Sequence, residues 1–208
     1  LAVRKIGFDQ PLSINIGARY RAVRLAGCGG RGKMTRDGHA NYDQQAREAA
    51  CALVIAETGA TMIHPFTDER VMAGQGTAVL ELLEDTPELD LVLCPVGGGG
   101  LLAGTAIAAR GARPQVQVIA VEPAAAGDAA RSFRAGHIVP LEHEATIADG
   151  LRTTVGAPNF AVMQELVTDV VTVSEEAIVA AMRELWETLK VVVEPSGAVP
   201  YAAILAGS

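Results

Sequence analysis

The chain has 208 residues, 50% of them hydrophobic and 4% aromatic, which is enough for one large core or two small ones. Its net charge of −7 argues against a nucleic-acid partner, and no apolar run approaches the roughly 18 residues of a membrane span. Three cysteines without metal-like spacing, Cys28, Cys51 and Cys94, indicate reduced thiols and hence a cytoplasmic protein.

Charge is unevenly distributed along the chain. Residues 1–40 hold eight Lys or Arg against two Asp, about +6, which leaves about −13 for residues 41–208. The first segment also contains Gly-Cys-Gly-Gly-Arg-Gly at residues 27–32, which suits neither a helix nor a strand. We expect an aberrant or disordered basic leader over residues 1–40 and a partial α/β domain over residues 41–208, with a divergent N-terminal subdomain as the alternative.

From about residue 41 onward, helix-like and strand-like patterns alternate. Apolar periodicity and capping residues predict helices over residues 42–58, 69–84, 101–110, 128–135, 159–166 and 174–190, and from residue 195 onward. Short apolar runs predict strands over residues 61–64, 91–96, 116–121 and 170–173. This alternation predicts an α/β fold, a parallel twisted sheet with flanking helices and right-handed crossovers.

Four consecutive glycines, Gly97, Gly98, Gly99 and Gly100, separate a predicted strand from a predicted helix. Glycine lacks a Cβ, so the backbone of such a turn can approach an anion closely. The N–H groups of the turn and of the helix N-terminus then point at that anion. The run therefore predicts a phosphate site, and the alternative is a tight strand–helix connection without a ligand.

Five segments follow one another in a fixed order: VMAGQGT at 71–77, PVGGGGL at 95–101, VEP at 121–123, IADG at 147–150 and VEPSGA at 193–198. Together they resemble the fold-type II pyridoxal-phosphate enzymes, close to the threonine/serine dehydratases and serine racemases. The resemblance covers roughly residues 40–208. It implies the large domain of a tryptophan synthase beta-like enzyme that binds pyridoxal phosphate.

The resemblance also implies site residues and a reaction. The cofactor phosphate is expected at Gly97 to Gly100 and Leu101, while Asp149, Gly150 and Glu194 are expected near the cofactor and the substrate channel. In that family a lysine forms a Schiff base with the cofactor and moves the α-proton. β-Elimination of water from a small hydroxy amino acid then gives a 2-oxo acid and ammonia, and we expect a homo-oligomer.

The chain departs from the family's pattern at its lysine. The Ser-Phe-Lys-x-Arg-Gly segment is absent, as are the Ser-Ser-Gly-Asn-His and late Ser-Gly-Gly-Asn segments, and the lysines are Lys5, Lys33 and Lys190. We therefore assign no catalytic residue and expect an incomplete chain, a truncation or frameshift product, that is inactive alone. The alternatives are a serine racemase-like enzyme and a non-catalytic paralogue that binds pyridoxal phosphate or another phosphorylated ligand.

A candidate cation site lies at the end of the predicted strand 116–121. Glu122 and Asp128, with the carbonyl of Ala126 between them, offer the oxygen ligands that hard cations prefer. The resemblance implies a divalent cation, Mg²⁺ or Ca²⁺, at these positions. The alternative is a strand-end carboxylate followed by an aspartate that caps the helix 128–135.

Overall fold

Three parallel strands form the sheet on which the site is built. The computed structural model describes residues 22–24, 44–142 and 145–207. Within them, β3 (Leu91–Pro95), β4 (Gln117–Pro123) and β5 (Asp169–Val173) pair in the order β3-β4-β5. A separate parallel pair joins β1 (Ala22–Arg24) to β2 (Thr61–Ile63).

Helices follow the strands, as expected for parallel pairing, which needs a crossover between neighbouring strands. They are α1 (Gln44–Thr58), α2 (Glu69–Gln75), α3 (Thr77–Asp85), α4 (Gly100–Ala112), α5 (Asp128–Ala135), α6 (Ala157–Leu166), α7 (Glu175–Glu184) and α8 (Pro195–Ala206). Single 3₁₀ turns lie at Ala124–Ala126 and Asp149–Leu151. No helix in the described ranges is long and apolar enough to cross a membrane.

The sheet separates two hydrophobic cores. Side chains alternate across a strand, so Cys94 and Ala120 enter one core, in which helices α3 to α6 pack. The neighbouring positions Val121 and Val173 enter the other core, which α7 and α8 cover. Helices therefore flank a parallel sheet on both faces, which confirms the predicted fold class.

The register places the functional segments at one edge of the sheet. Pro95 pairs with Val121, and Pro123 pairs with Val173, so the carboxyl ends of the three strands are adjacent. The turns that leave β3 and β4 consequently lie side by side. This is the edge at which open α/β sheets bind ligands.

One predicted element ends earlier than its pattern indicated. The helix predicted over residues 174–190 is α-helical only to Glu184 and continues as a π-helical turn, Leu185–Leu189. Lys190 then adopts a left-handed conformation with φ 58°, and its N–H donates to the carbonyls of Leu185 and Trp186. The predicted boundary at residue 40 lies outside the described residues and stays a prediction.

Candidate functional site

The glycine run forms the turn between β3 and α4. Gly97, Gly98, Gly99 and Gly100 are all buried, and α4 begins at Gly100. Gly99 is the N-cap of α4 and has φ 88°, a left-handed conformation that costs residues with a side chain about 1–2 kcal/mol. Gly99 therefore meets the conformational requirement that the sequence predicted for this turn.

Close packing explains why no position in the turn carries a side chain. A Cβ at Gly98 would lie 2.5 Å from the ring of Phe66, and one at Gly99 would lie 2.9 Å from the Cβ of Asn159. A Cβ at Gly97 would lie 2.8 Å from the Cα of Leu151. Packing of this kind is also what a ligand-free connection needs, so the glycines alone do not decide between the two alternatives.

The hydrogen bonds of the turn bear on this choice. Among the residues that the structure describes, the N–H groups of Gly98, Gly99, Gly100 and Leu101 donate to no acceptor. Buried N–H groups are almost always paired, and groups at a helix N-terminus attract anions. The turn thus offers four N–H donors, three of them on buried glycines, at the positive end of a helix.

Two further segments meet this turn. In the 3₁₀ turn Asp149–Leu151, the N–H of Gly150 donates to the hydroxyl of Ser196 in the first turn of α8, at 3.1 Å. Because Leu151 also lies beside Gly97, the structure brings the predicted residues Asp149 and Gly150 to the glycine turn.

Glu194, unlike the predicted glycines of the turn, has an exposed side chain at the start of a helix. It is the N-cap of α8, and its backbone carbonyl accepts from the N–H groups of Gly197 and Ala198. Its side chain is exposed, whereas Ser196, two residues later, is buried. Sequence reasoning missed Ser196, although a small polar residue directly after the helix-starting Pro195 was a signal.

The predicted cation ligands lie at the next strand end. Glu122 is 1% exposed at the end of β4, and its carboxylate accepts from the N–H groups of Ala129 at 3.1 Å and Ala130 at 2.6 Å. Asp128 is also buried and accepts from the N–H of Val155 at 3.4 Å. The structure therefore places both predicted carboxylates in the interior at one junction.

Both carboxyl groups bind protons more tightly than they do in water. Burial raises the pKa of Glu122 to about 8; the nearby Asp128 adds to this rise, and the N–H of Ala130 opposes it. Burial likewise raises the pKa of Asp128 to about 6. A bound cation would relieve this unfavourable burial of negative charge.

The alternative role of Asp128 as a helix cap is wrong. The N-cap of α5 is Gly127. The amides of Ala129 and Ala130 in the first turn of the helix donate to the carboxylate of Glu122, which belongs to the preceding strand. Ala126, which lies between the two carboxylates in sequence, is the buried residue of the 3₁₀ turn Ala124–Ala126. Within the described ranges, no three His, Cys, Asp or Glu side chains converge on one point, so a cation here needs backbone or water oxygens as well.

Comparisons with known proteins agree with this geometry. The family model described as "Pyridoxal-phosphate dependent enzyme" matches residues 16–208. Serine racemase of Arabidopsis thaliana is 48% identical over 162 residues, 78% of this chain and 49% of that protein. L-threonine ammonia-lyase of Geobacter sulfurreducens is 45% identical over 166 residues, 79% of this chain and 41% of that protein. The solved structure of maize serine racemase aligns with a TM-score of 0.78 at 45% identity, over 80% of this chain and 52% of that one.

The chain belongs to the pyridoxal-phosphate dependent enzyme family. The suspected resemblance is confirmed, and the cofactor of this family is pyridoxal phosphate. The chain spans about half the length of the curated relatives it matches. The unpaired amides at residues 98–101 fit the phosphate group of such a cofactor.

The lysine of the family is not identified among the described residues. Lys190 is exposed, and its ammonium group donates to the carbonyl of Glu187 within its own turn. Lys5 and Lys33 lie outside the described residues. The structure therefore fits the phosphate end of the cofactor and assigns no residue to its aldehyde end.

Proposed function

We propose that the turn from Gly97 to Gly100, with the N–H of Leu101, binds the phosphate of pyridoxal phosphate. The observation that carries the proposal is the set of buried amides at the start of α4 that donate to no described acceptor. The helix dipole adds to their attraction for a phosphate dianion. When bound, the cofactor supplies the electron sink for removing a proton from the α-carbon of an amino acid.

Asp149, Gly150 and Glu194 line the approach to this cofactor in the proposal. The bond from Gly150 to Ser196 joins the 3₁₀ turn to the start of α8, and Leu151 packs on Gly97. These contacts hold the wall of the site in place relative to the phosphate turn. A rigid wall orients a bound amino acid, which is the protein's contribution to cofactor chemistry.

The reaction we propose is that of a threonine/serine dehydratase-like ammonia-lyase. A small hydroxy amino acid loses water across its Cα–Cβ bond, and hydrolysis of the resulting enamine gives a 2-oxo acid and ammonia. The similarity to L-threonine ammonia-lyase supports this reaction. Serine racemisation is the second candidate, because serine racemase is at least as similar to the chain.

The chain by itself is proposed to bind the cofactor without turning over. Lys190 is engaged in its own turn, so no described lysine is assigned to Schiff-base formation or proton transfer. Catalysis then belongs to a longer homo-oligomeric, cytoplasmic protein that supplies the lysine. A non-catalytic paralogue that holds pyridoxal phosphate or another phosphorylated ligand accounts for the same observation.

The test combines binding and turnover on the purified 208-residue chain. We expect pyridoxal phosphate to bind at least ~10-fold more tightly than pyridoxal, which lacks the phosphate, because charge-assisted bonds to the amides are then lost. We also expect no 2-oxobutanoate from threonine, no pyruvate from serine and no D-serine. Equal affinity for the two ligands would overturn the phosphate site, and turnover near ~10 s⁻¹ would overturn the inactive chain.

We also propose that Glu122, the carbonyl of Ala126 and Asp128 bind Mg²⁺ or Ca²⁺. Two buried carboxylates at one junction support the proposal. Adding either cation should raise the melting temperature of the wild-type chain. It should not change the melting temperature of Glu122→Gln, because this variant lacks one of the two carboxylates. A melting temperature that does not respond to either cation in the wild type would contradict it.

A further inference from the structure

One buried side chain connects the glycine turn to two distant segments. Asn159, in the first turn of α6, is 1% exposed. Its Nδ2 group donates to the carbonyl of Gly98 at 2.6 Å and to the carbonyl of Phe66 at 2.9 Å. These bonds span 61 and 93 residues of sequence, so the side chain fixes three segments that no local structure connects.

The bond to Gly98 sets the direction of a neighbouring donor. The carbonyl of Gly98 also accepts from the N–H of Gly156 at 3.0 Å, so two donors hold it on the same side. In a planar trans peptide the carbonyl and the following N–H point in opposite directions. The N–H of Gly99 therefore points away from Asn159, to the side on which no described residue accepts it.

Without these donors the Gly98–Gly99 peptide has two accessible orientations. Glycine adopts positive and negative φ almost equally well, so a peptide between two glycines rotates at little cost. In the reversed orientation the carbonyl oxygen of Gly98 would face the anion and repel it. Asn159 selects the orientation that offers a donor.

The remaining atom of the amide points to a ligand as well. Asn159 Oδ1 is buried and has no hydrogen-bond partner among the described residues. Rotating the amide by 180° is no remedy, because Oδ1 would then face the two carbonyl oxygens that Nδ2 now serves. A buried acceptor of this kind needs a donor that the described chain does not provide, and a water that arrives with the anion supplies one.

We infer that Asn159 is a positioning residue for the phosphate of the cofactor, holding the Gly98–Gly99 peptide with its N–H turned toward the anion. This inference rests on the proposed function, since it presumes a phosphate at the glycine turn. Asn159 does not contact the reacting atoms. It acts through Gly98, and its effect is confined to ligands that carry a phosphate.

The experiment measures the affinity of Asn159→Leu for pyridoxal phosphate and for pyridoxal. Leucine keeps the branched outline of the side chain, with two methyl groups in place of Oδ1 and Nδ2, and removes both hydrogen bonds. We expect affinity for pyridoxal phosphate to fall roughly tenfold, since an oriented donor is lost, while affinity for pyridoxal stays within about twofold. The matched control is Gln164→Ala on the same helix, whose exposed amide donates to the carbonyl of Phe133 at 3.0 Å, and we expect it to bind both ligands like the wild type.

Amide hydrogen exchange gives a second readout that needs no ligand. Asn159→Leu should change exchange at Gly99 and Gly100 and not in α7, whereas Gln164→Ala should change neither. An unaltered affinity for pyridoxal phosphate in Asn159→Leu overturns the inference and leaves the proposed function intact. Equal loss for both ligands, or failure of both Asn159→Leu and Asn159→Ser to fold while Gln164→Ala folds, assigns Asn159 to general stability and also overturns it. A wild-type chain that does not prefer pyridoxal phosphate over pyridoxal overturns the proposed function itself.

Discussion

Two neighbouring junctions, β3 to α4 and β4 to α5, solve the same structural problem in opposite ways. Each leads from the carboxyl end of a parallel strand into a helix whose first N–H groups lack helical partners. At α5 the carboxylate of Glu122 accepts from Ala129 and Ala130. At α4 the turn consists of glycine, and no described acceptor reaches its amides. The first N–H groups of a helix are therefore available to an external anion only where no acceptor of the chain itself is bound to them.

The two junctions are also connected through one pair of adjacent amides. The N–H of Val155 donates to Asp128, and the N–H of Gly156 donates to the carbonyl of Gly98. The acidic junction and the glycine junction thus share a segment of backbone just before α6. This segment therefore contacts both the predicted cation ligands and the predicted phosphate turn.

The largest expected effect separates the two N-cap glycines. Gly99→Ala places a Cβ at φ 88° and 2.9 Å from Asn159, which should cost about 2–5 kcal/mol from strain and overlap. The matched change at the other junction is Gly127→Ala. Gly127 has φ −79°, and a Cβ placed there would lie 3.3 Å from the carbonyl oxygen of Ala124, its nearest neighbour. We expect Gly99→Ala to lose measurable binding of pyridoxal phosphate and Gly127→Ala to keep it. Equal affinities in a titration of both variants would remove the contrast between the junctions.

The next effect removes the internal acceptor of α5. Glu122→Ala leaves the amides of Ala129 and Ala130 buried without a partner, so the free energy of unfolding should fall by about 2–4 kcal/mol. Glu122→Gln keeps one acceptor oxygen and should lose roughly half as much. Urea unfolding measures both. If Glu122→Ala were as stable as the wild type, Glu122 would not be the cap that distinguishes the two helix starts.

Local patterns predicted the features that depend on local sequence. The alternation of apolar runs and helical periodicity located β3, β4 and β5 to within one or two residues, and the glycine run marked the turn before α4. The carboxylates at residues 122 and 128 were also recognised from their place after a strand. Each of these features is determined by a stretch of about ten consecutive residues.

Long-range contacts were not predicted, because no local pattern encodes them. Asn159 reads as an ordinary residue near a helix start, and only the fold places its amide on Gly98, 61 residues away. The bond between Gly150 and Ser196 spans 46 residues and was missed for the same reason. The alternative interpretation made Asp128 the cap of α5, but in the folded chain the buried Glu122 carboxylate accepts from the amides of Ala129 and Ala130.

The start of α2 provides a third case of helix capping, with a smaller expected change in the free energy of unfolding. Asp68 caps α2 by accepting from the N–H of Arg70 at 2.9 Å, and the Arg70 guanidinium lowers the pKa of Asp68. Asp68→Ala should cost about 1 kcal/mol of unfolding free energy at pH 7. Because the folded pKa is lower than the unfolded value of about 3.9, this contribution is present above that pH and disappears as pH falls through the folded pKa.

Thermal unfolding of the wild type and Asp68→Ala across pH 2–7 measures this contribution. The two curves should converge at the acid end, and Asp68→Asn, which retains a capping oxygen, should lie between them at pH 7. A difference that persists undiminished at pH 2 would show that the carboxylate is not its source. Affinity for pyridoxal phosphate should be unchanged, since α2 supplies its own acceptor.

The smallest effect concerns a glycine outside both junctions, Gly74 in the last turn of α2. Nothing lies within 4 Å of a Cβ placed there, and its φ is not positive, so Gly74→Ala should raise the free energy of unfolding by about 0.5–1 kcal/mol. Gly136 also has open space but φ 71°, so Gly136→Ala should lower it by about 1 kcal/mol. Both variants should bind pyridoxal phosphate like the wild type. Urea unfolding measures the change in stability, and a titration measures the affinity for pyridoxal phosphate. If Gly74→Ala weakened binding as much as Gly99→Ala, the loss would be a general effect of replacing glycine and would not identify the turn at Gly99 as the phosphate site.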